Sequence, residues 1–600
     1  MNIQYNYLIY FVMVIAFFSC EEYLDKTPEA EIDEADIFST YESFQGFVDP
    51  NYAEILDYHK VYSSSSMNLG PDTWGYLSYS PSTNASNGRY DNIVNASAVS
   101  LFRNNRSSIS FGDPTTSGVW SGGWRGIRRC NIGLKNMHLL QDATDEERDL
   151  IEGQLYFFRA FFHGEIIAAF GGMPFVDTVF AADDELNLPR ITYHECTDRI
   201  LEDYDKAIEL LPTDWDETDI GSESPGSNVG RITKFAALAF KQKHALYAAS
   251  PLMNKFSGND YSYNKTYAEI AAKTGWEFLK LNEVTNTHAL VPWENYTDNF
   301  FKNDNRKQPW TKETILQRTD NRDRGGNLWV GFIRNIYGGP PRLGGGGNTE
   351  SVNQLFIDKF EMADGTRYKE EYDRDNERRW NDRDPRFRAN ILVDRDQHGF
   401  NPQTKLNLYD QVYGEASDKS VTGTIALPYL VKKYWDKGIN HIDKDWNSFI
   451  FATPRMRMAE VYLDYAEAVT AAYGPDGSAP GADLTAVDAV NLIRTRAGMP
   501  TVTANPSEYE NFMELLRNER NVELCFEGHY WFDLRRWHIG HLPENKTVVD
   551  LKFDKEWTPS SFVRTEFRVN TFDDPTHYWL PLPRDLTLLY EGMYQNPGWD

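Results

Sequence analysis

Beyond its first twenty residues this chain has no long apolar run, and that absence excludes a membrane-spanning helix, which needs roughly 20 consecutive apolar residues. Mean hydropathy is -0.58, so the body is built to face water. Cysteine is nearly missing. Four in 600 residues, at Cys20, Cys130, Cys196 and Cys525, cannot supply a disulfide framework, and stability must come from a packed core. Positive charge is also short: 61 Lys and Arg against 89 Asp and Glu leave a net charge of -28. Nucleic acid and anionic membrane surfaces would both be repelled. The same acidity weakly favours neutral or cationic ligands, and it equally serves to keep a secreted protein in solution. The 12 histidines are scattered and no cysteine pairs occur, so no metal site and no cofactor are expected. Asp373, Asp375 and Glu377 alternate as calcium ligands do but lack the glycine and terminal glutamate of the full loop, and a solvated charge run is the preferred reading.

What is present begins with a leader. Leu8 to Phe18 form an apolar run of roughly eleven residues, the length of a signal-peptide core, ending at Ser19-Cys20. A small residue directly before a cysteine at that place is a lipobox, which predicts cleavage before Cys20 and acylation of its thiol. Several acyl chains anchor firmly because each buried methylene contributes roughly 0.8 kcal/mol. Phe17 and Phe18 depart from the usual lipobox residues and the leader has no Lys or Arg, so ordinary secretion with a free Cys20 is the competing expectation. The expected division is 1–19 signal peptide, 20–34 lipidated polar tether, and 35–600 one folded domain.

Helical periodicity dominates that domain. Ile127, Cys130, Leu134 and Met137 recur at helical spacing, and Thr144 with Glu147 forms a capping box opening a helix to Phe170. That helix is dense in phenylalanine and is expected to be buried nearly all round. Further stripes run from Leu201 to Leu211, Phe235 to Ala249, through Ile270 to Leu279, Met458 to Ala472 and Phe512 to Phe526. Two long segments, Tyr62–Gly118 and Val291 to about Trp446, show little periodicity. Loops of such length are functional or disordered, and their many aromatics argue for function.

Several stretches resemble one known family. Asn518-Glu519-Arg520-Asn521-Val522-Glu523-Leu524-Cys525-Phe526-Glu527-Gly528-His529, followed by Trp531-Phe532-Asp533-Leu534-Arg535-Arg536-Trp537, is similar to the most characteristic stretch of SusD/RagB lipoproteins. Gly153 to Ala160 with Gly171-Gly172-Met173-Pro174, Ser250-Pro251-Leu252, Arg455 to Leu463, Asn491 to Pro500, Tyr578 to Pro583 and Gln595 to Trp599 match in the same order. The resemblance therefore covers the whole chain.

It implies a mainly α, SusD-like fold. Tetratricopeptide-like helical hairpins would form the scaffold, at about 120–285 and 450–540, and long irregular loops at about 60–118 and 290–446 would carry the ligand site. It also implies a non-catalytic lipoprotein on the outer face of the cell outer membrane, touching the membrane through its lipid alone. Such proteins sit as a lid on a SusC-like TonB-dependent transporter and hand it glycans or, in some members, peptides.

Sugar rings present an apolar face edged by hydroxyls, and a site for them needs flat aromatic platforms with Asn, Asp, Arg or Gln beside them. The irregular segments supply Asp72, Trp74, Tyr76, Tyr79, Asn87 and Arg89 in the first, and Trp293, Tyr296, Trp310, Trp329, Arg334 and Tyr337 in the second. The candidate ligand-binding residues are Asp72, Trp74, Tyr76, Arg89, Trp310, Trp329, Arg334 and Tyr337. Packing against its own loop is the competing role for any one ring. No catalytic residue is expected: Glu519 falls on an apolar stripe and should be buried against Arg494 or Arg496, not poised in a cleft with Glu523 or Glu527. The competing classes are a glycoside hydrolase, which needs two carboxylates about 5 to 10 Å apart across a cleft, and a peptide-binding or scaffold lipoprotein.

Overall fold

The computed structural model describes residues 34–55, 70–74, 81–95, 118–181, 183–184, 188–302, 309–318, 351–413, 426–435, 437–438, 440, 442–443 and 450–599. Helices predominate: α1 (Val119–Asn136), α2 (Asp145–Phe170), α3 (Tyr193–Leu210), α4 (Lys234–Ala249), α5 (Lys265–Thr285), α6 (Met458–Tyr473), α7 (Ala486–Arg496), α8 (Phe512–Glu523) and the short α9 (Tyr530–Arg536). Among the described residues no helix is long and apolar enough to cross a membrane.

The expected capping box opens α2: Glu147 donates its N–H to Thr144 Oγ1 at 3.2 Å, and Thr144 N–H reaches Glu147 Oε2 at 2.7 Å. Such a cap contributes about 1 kcal/mol. The helix is buried nearly all round, with Phe157, Phe158, Phe161 and Phe162 each at 2% exposure or less. Each ring so placed is worth about 1.5–3 kcal/mol of burial. Gly126 lets α1 approach, since a Cβ there would lie 2.2 Å from the Phe162 ring.

Packing follows chain order. α1 lies on α2, α2 on α3, α3 on α4, α4 on α5, α5 on α6, and α6 on both α7 and α8. One large apolar core runs through this stack, and the expected three free cysteines are buried. A second core lies beside it, built from Tyr296, Phe300, Phe356, Phe360, Phe387 and Tyr434 with Phe526 and Tyr530. The small sheet at this second core is antiparallel throughout, in the order β1 (Thr73–Trp74), β2 (Ser351–Val352), β4 (Leu430–Val431), β3 (Ile391–Leu392). A longer hairpin, β5 (Thr547–Lys552) with β6 (Val563–Val569), flanks it.

Two expectations need correction. The helix expected to run to Phe526 ends at Glu523, and Phe526 takes a left-handed φ of 62°. Lys433 explains the exit: its ammonium donates to the carbonyls of Glu523 at 3.2 Å and Cys525 at 2.9 Å. Nor is the Asp373 to Glu377 run wholly solvated. Asp373 is buried, accepts the Tyr368 hydroxyl at 2.8 Å, and pairs with Arg564.

Candidate functional site

Among the described residues, the two irregular segments meet in a β-pairing. Thr73 pairs with Val352 and Trp74 with Ser351, so β1 of the first segment is stitched to β2 of the second. Asn353 extends the seam, its amide donating to Pro71 O at 2.8 Å and Thr547 O at 2.9 Å.

Beside this seam opens a polar cleft of about 270 Å³. Tyr368, Tyr509 and Tyr530 give it aromatic walls, and Asn353, Asn518 and Asn545 add amides that both donate and accept. Asp358, Glu361, Glu544, Lys359 and Arg367 also line it.

Each wall is fixed from behind. Glu361 accepts the Tyr509 hydroxyl at 2.6 Å and Arg494 Nη2 at 2.8 Å, while Arg564 grips Asp358 with two bonds of 2.6 and 3.0 Å. Burial pushes both carboxyls up in spite of those arginines. Lys359 differs. It stands 5.8 Å from the Tyr530 ring, and no described carboxylate forms an ion pair with it. Burial lowers its pKa to about 8, so near neutral pH the cleft holds a cation available to a ligand.

Behind the cleft lies a buried ion-pair network that ties the second segment to the helices. Arg457, at the start of α6, donates to Glu313 at 2.6 Å, Glu523 at 2.8 Å and Glu527 at 2.8 Å, and Lys433 reaches Glu527 at 2.6 Å. Arg386 bonds both Glu519 and Glu523. Burial alone would raise the Glu519 carboxyl, but Arg386 and Arg494 outweigh it and hold it below the usual carboxylate range. Of the two partners expected for Glu519, Arg494 is the one it has; Arg496 pairs with Glu313 and Glu523. Three carboxylates so buried and neutralised by arginine and lysine are held ionised away from solvent, which argues against Glu519, Glu523 and Glu527 as acid and base.

A second hollow, of about 290 Å³, has an almost wholly apolar lining that includes Trp120, Trp124, Phe180 and Leu586. It offers few partners for sugar hydroxyls.

A family model described as the SusD family matches residues 296–599, just over half the chain. The chain belongs to the SusD family. A second model, described as starch-binding and associating with the outer membrane, matches residues 22–246. This SusD-family chain is 24% identical over 610 residues to SusD-like protein P25 of Formosa agariphila, covering 97% of this chain and 96% of the other. A SusD-like protein from Bacteroides fragilis has a solved structure that superposes with a TM-score of 0.71 at 26% identity, over 96% of this chain and all of that one. A laminarin-binding SusD-like protein superposes with a TM-score of 0.55 at 17% identity, over 94% of this chain and all of that one, and so shares the fold.

The candidate site residues of this SusD-family chain fall in different places. Asp72 is buried at 2% exposure just behind the cleft, where burial raises its pKa to about 7 and its Oδ1 has no hydrogen-bond partner among the described residues. Trp74 lies on β1 by its backbone, Arg89 is exposed, and Trp310 is half-buried. Tyr296 belongs to the second core, with Trp293 stacked on it at 4.9 Å. Asn87 accepts a bond from Arg568 at 3.2 Å. Cys20, Tyr76, Tyr79, Trp329, Arg334 and Tyr337, and the side chain of Trp74, lie outside the described residues. Sequence reasoning missed Lys359, Arg367, Tyr368 and Tyr509. Asn518 and Tyr530 sat within or beside the characteristic stretch but were read as scaffold.

Proposed function

We propose that this protein is a cell-surface lipoprotein, held by acyl chains on Cys20, which captures oligo- or polysaccharide without cutting it and passes it to a SusC-like TonB-dependent transporter. The observation that carries the reading is the β1–β2 seam. It draws the first and second irregular segments together beside a cleft with three tyrosines, three asparagines and a cation, Lys359, with no ion-pair partner among the described residues. Aromatic faces take the C–H side of a sugar ring, and amides and charges take its hydroxyls. Asp72, Trp74, Tyr76, Arg89, Trp310, Trp329, Arg334 and Tyr337 remain the ligand contacts proposed from the irregular segments.

The neighbours lend support. One matching family model carries starch binding and outer-membrane association in its description, and one structural relative binds laminarin. Native gels cast with neutral or acidic polysaccharides test the proposal. Slowed migration in at least one polymer is expected for the wild type, with faster migration restored by Arg367→Ala. Identical migration in every polymer and in plain gel would contradict it.

A further inference from the structure

His538 has a backbone conformation rare for its residue type, with φ at 57° in the left-handed region. It follows α9 and donates its N–H to Arg535 O at 2.8 Å, the place at a helix end where glycine is the usual occupant. Outliers of this kind cluster at functional sites. The imidazole is held firmly. Tyr261 stacks on it at 3.8 Å and 15°, and Tyr578 lies against it at 4.4 Å and 33°.

Two further metal-ligating side chains converge on the same point. Asp574 Oδ2 stands 3.2 Å from His538 Nε2. His541, three residues on, has its ring 5.0 Å from that of His538, and its Nδ1 is 2.5 Å from the Tyr578 hydroxyl, which fixes the rotation of the ring. One ligand atom from each of the three lies within 4.8 Å of the others, the one such group of three among the described residues. Tetrahedral zinc, with bonds of about 2.0–2.1 Å, sets its donors about 3.3 Å apart. The His538–Asp574 separation of 3.2 Å already matches that spacing.

We propose that His538, His541 and Asp574 form a binding site for a divalent transition-metal ion of the zinc class, with water completing the coordination. Two imidazoles and a carboxylate are the donor set such an ion prefers. Tyr578 supplies the outer hydrogen bond that orients a ligating imidazole. A bound ion would clip the turn after α9 to the segment carrying Asp574. Without a metal, the same residues give only a 3.2 Å contact between His538 Nε2 and Asp574 Oδ2.

The test uses the full chain, stripped with chelator and dialysed against ZnCl2. Metal content per chain, the melting temperature, and the anomalous diffraction peak at the zinc edge are the readouts. One Zn2+ per chain is expected, with a raised melting temperature and a peak among the three side chains. His541→Gln and Asp574→Asn each weaken uptake by about tenfold or more, while their metal-free melting matches the wild type. The anomalous peak locates the ion even if a variant is less stable. No zinc on the folded wild type, a peak only elsewhere, or uptake unchanged in both variants overturns the proposal.

Discussion

Arg494 and Glu519 meet at 2.9 Å between α7 and α8, both side chains almost fully buried. Arg494 also holds Glu361 at 2.8 Å, so one guanidinium joins the ion-pair network of the core to the wall of the cleft. Removing one partner of a buried pair leaves the other charge uncompensated. Glu519→Gln is therefore expected to lower stability by about 3 kcal/mol, read as a lower urea midpoint; an unchanged midpoint would show the pair to be incidental.

Acid should undo a second buried ion pair, in which Arg536 holds Glu467 at 2.7 Å. Burial pushes the Glu467 carboxyl up, but Arg536 more than offsets it and holds it at about 2, against an ordinary 4.5. A carboxyl whose folded pKa is depressed contributes stability that is complete above its unfolded value and is lost as pH falls through the folded one. Urea midpoints measured from pH 5 to pH 2 should fall steeply in the wild type. Glu467→Gln, which cannot titrate, should start lower and fall less.

Asp72 has the opposite sign. Its folded pKa is raised by burial from 3.8 to about 7, so the folded state binds more protons than the unfolded one across that interval. This group then subtracts stability as pH rises through it, with the full penalty present above about 7. Asp72→Asn should be more stabilising, relative to wild type, at pH 8 than at pH 4. An equal difference at both would show that Asp72 ionises normally.

Lys359→Met tests whether the cleft cation meets the ligand. Loss of a charge-assisted hydrogen bond should weaken glycan binding by about tenfold, and binding by the wild type should decline above about pH 8 as the ammonium loses its proton. Retained affinity in a folded Lys359→Met protein would move the ligand elsewhere.

Trp74→Ala combined with Trp329→Ala asks the same of the irregular segments. If both rings serve as platforms, affinity should fall by tenfold or more, since buried aromatic anchors are worth about 2 kcal/mol each. Calorimetry on the double variant, with circular dichroism to confirm folding, decides it.

The helical scaffold was legible because its signals are local. Thr144 and Glu147 are three residues apart and form their capping box as expected, and the phenylalanines that bury α2 all lie on that helix. The cleft was not legible, because Asn353, Lys359, Tyr509 and Tyr530 come from distant parts of the chain and no periodicity links them. The end of α8 failed for a related reason. Nothing near Phe526 announces that Lys433, some ninety residues earlier, takes the carbonyls of that turn. His538 and His541 were passed over as scattered histidines, since their third partner, Asp574, is distant in sequence.

The central claim is capture without cleavage. Isothermal titration of the purified protein against the polysaccharide that retards it, with a reducing-end assay on the same mixture over hours, tests it most directly. Saturable binding with no new reducing ends is the predicted result. A steady rise in reducing ends, or no heat of binding with a folded protein, would contradict it.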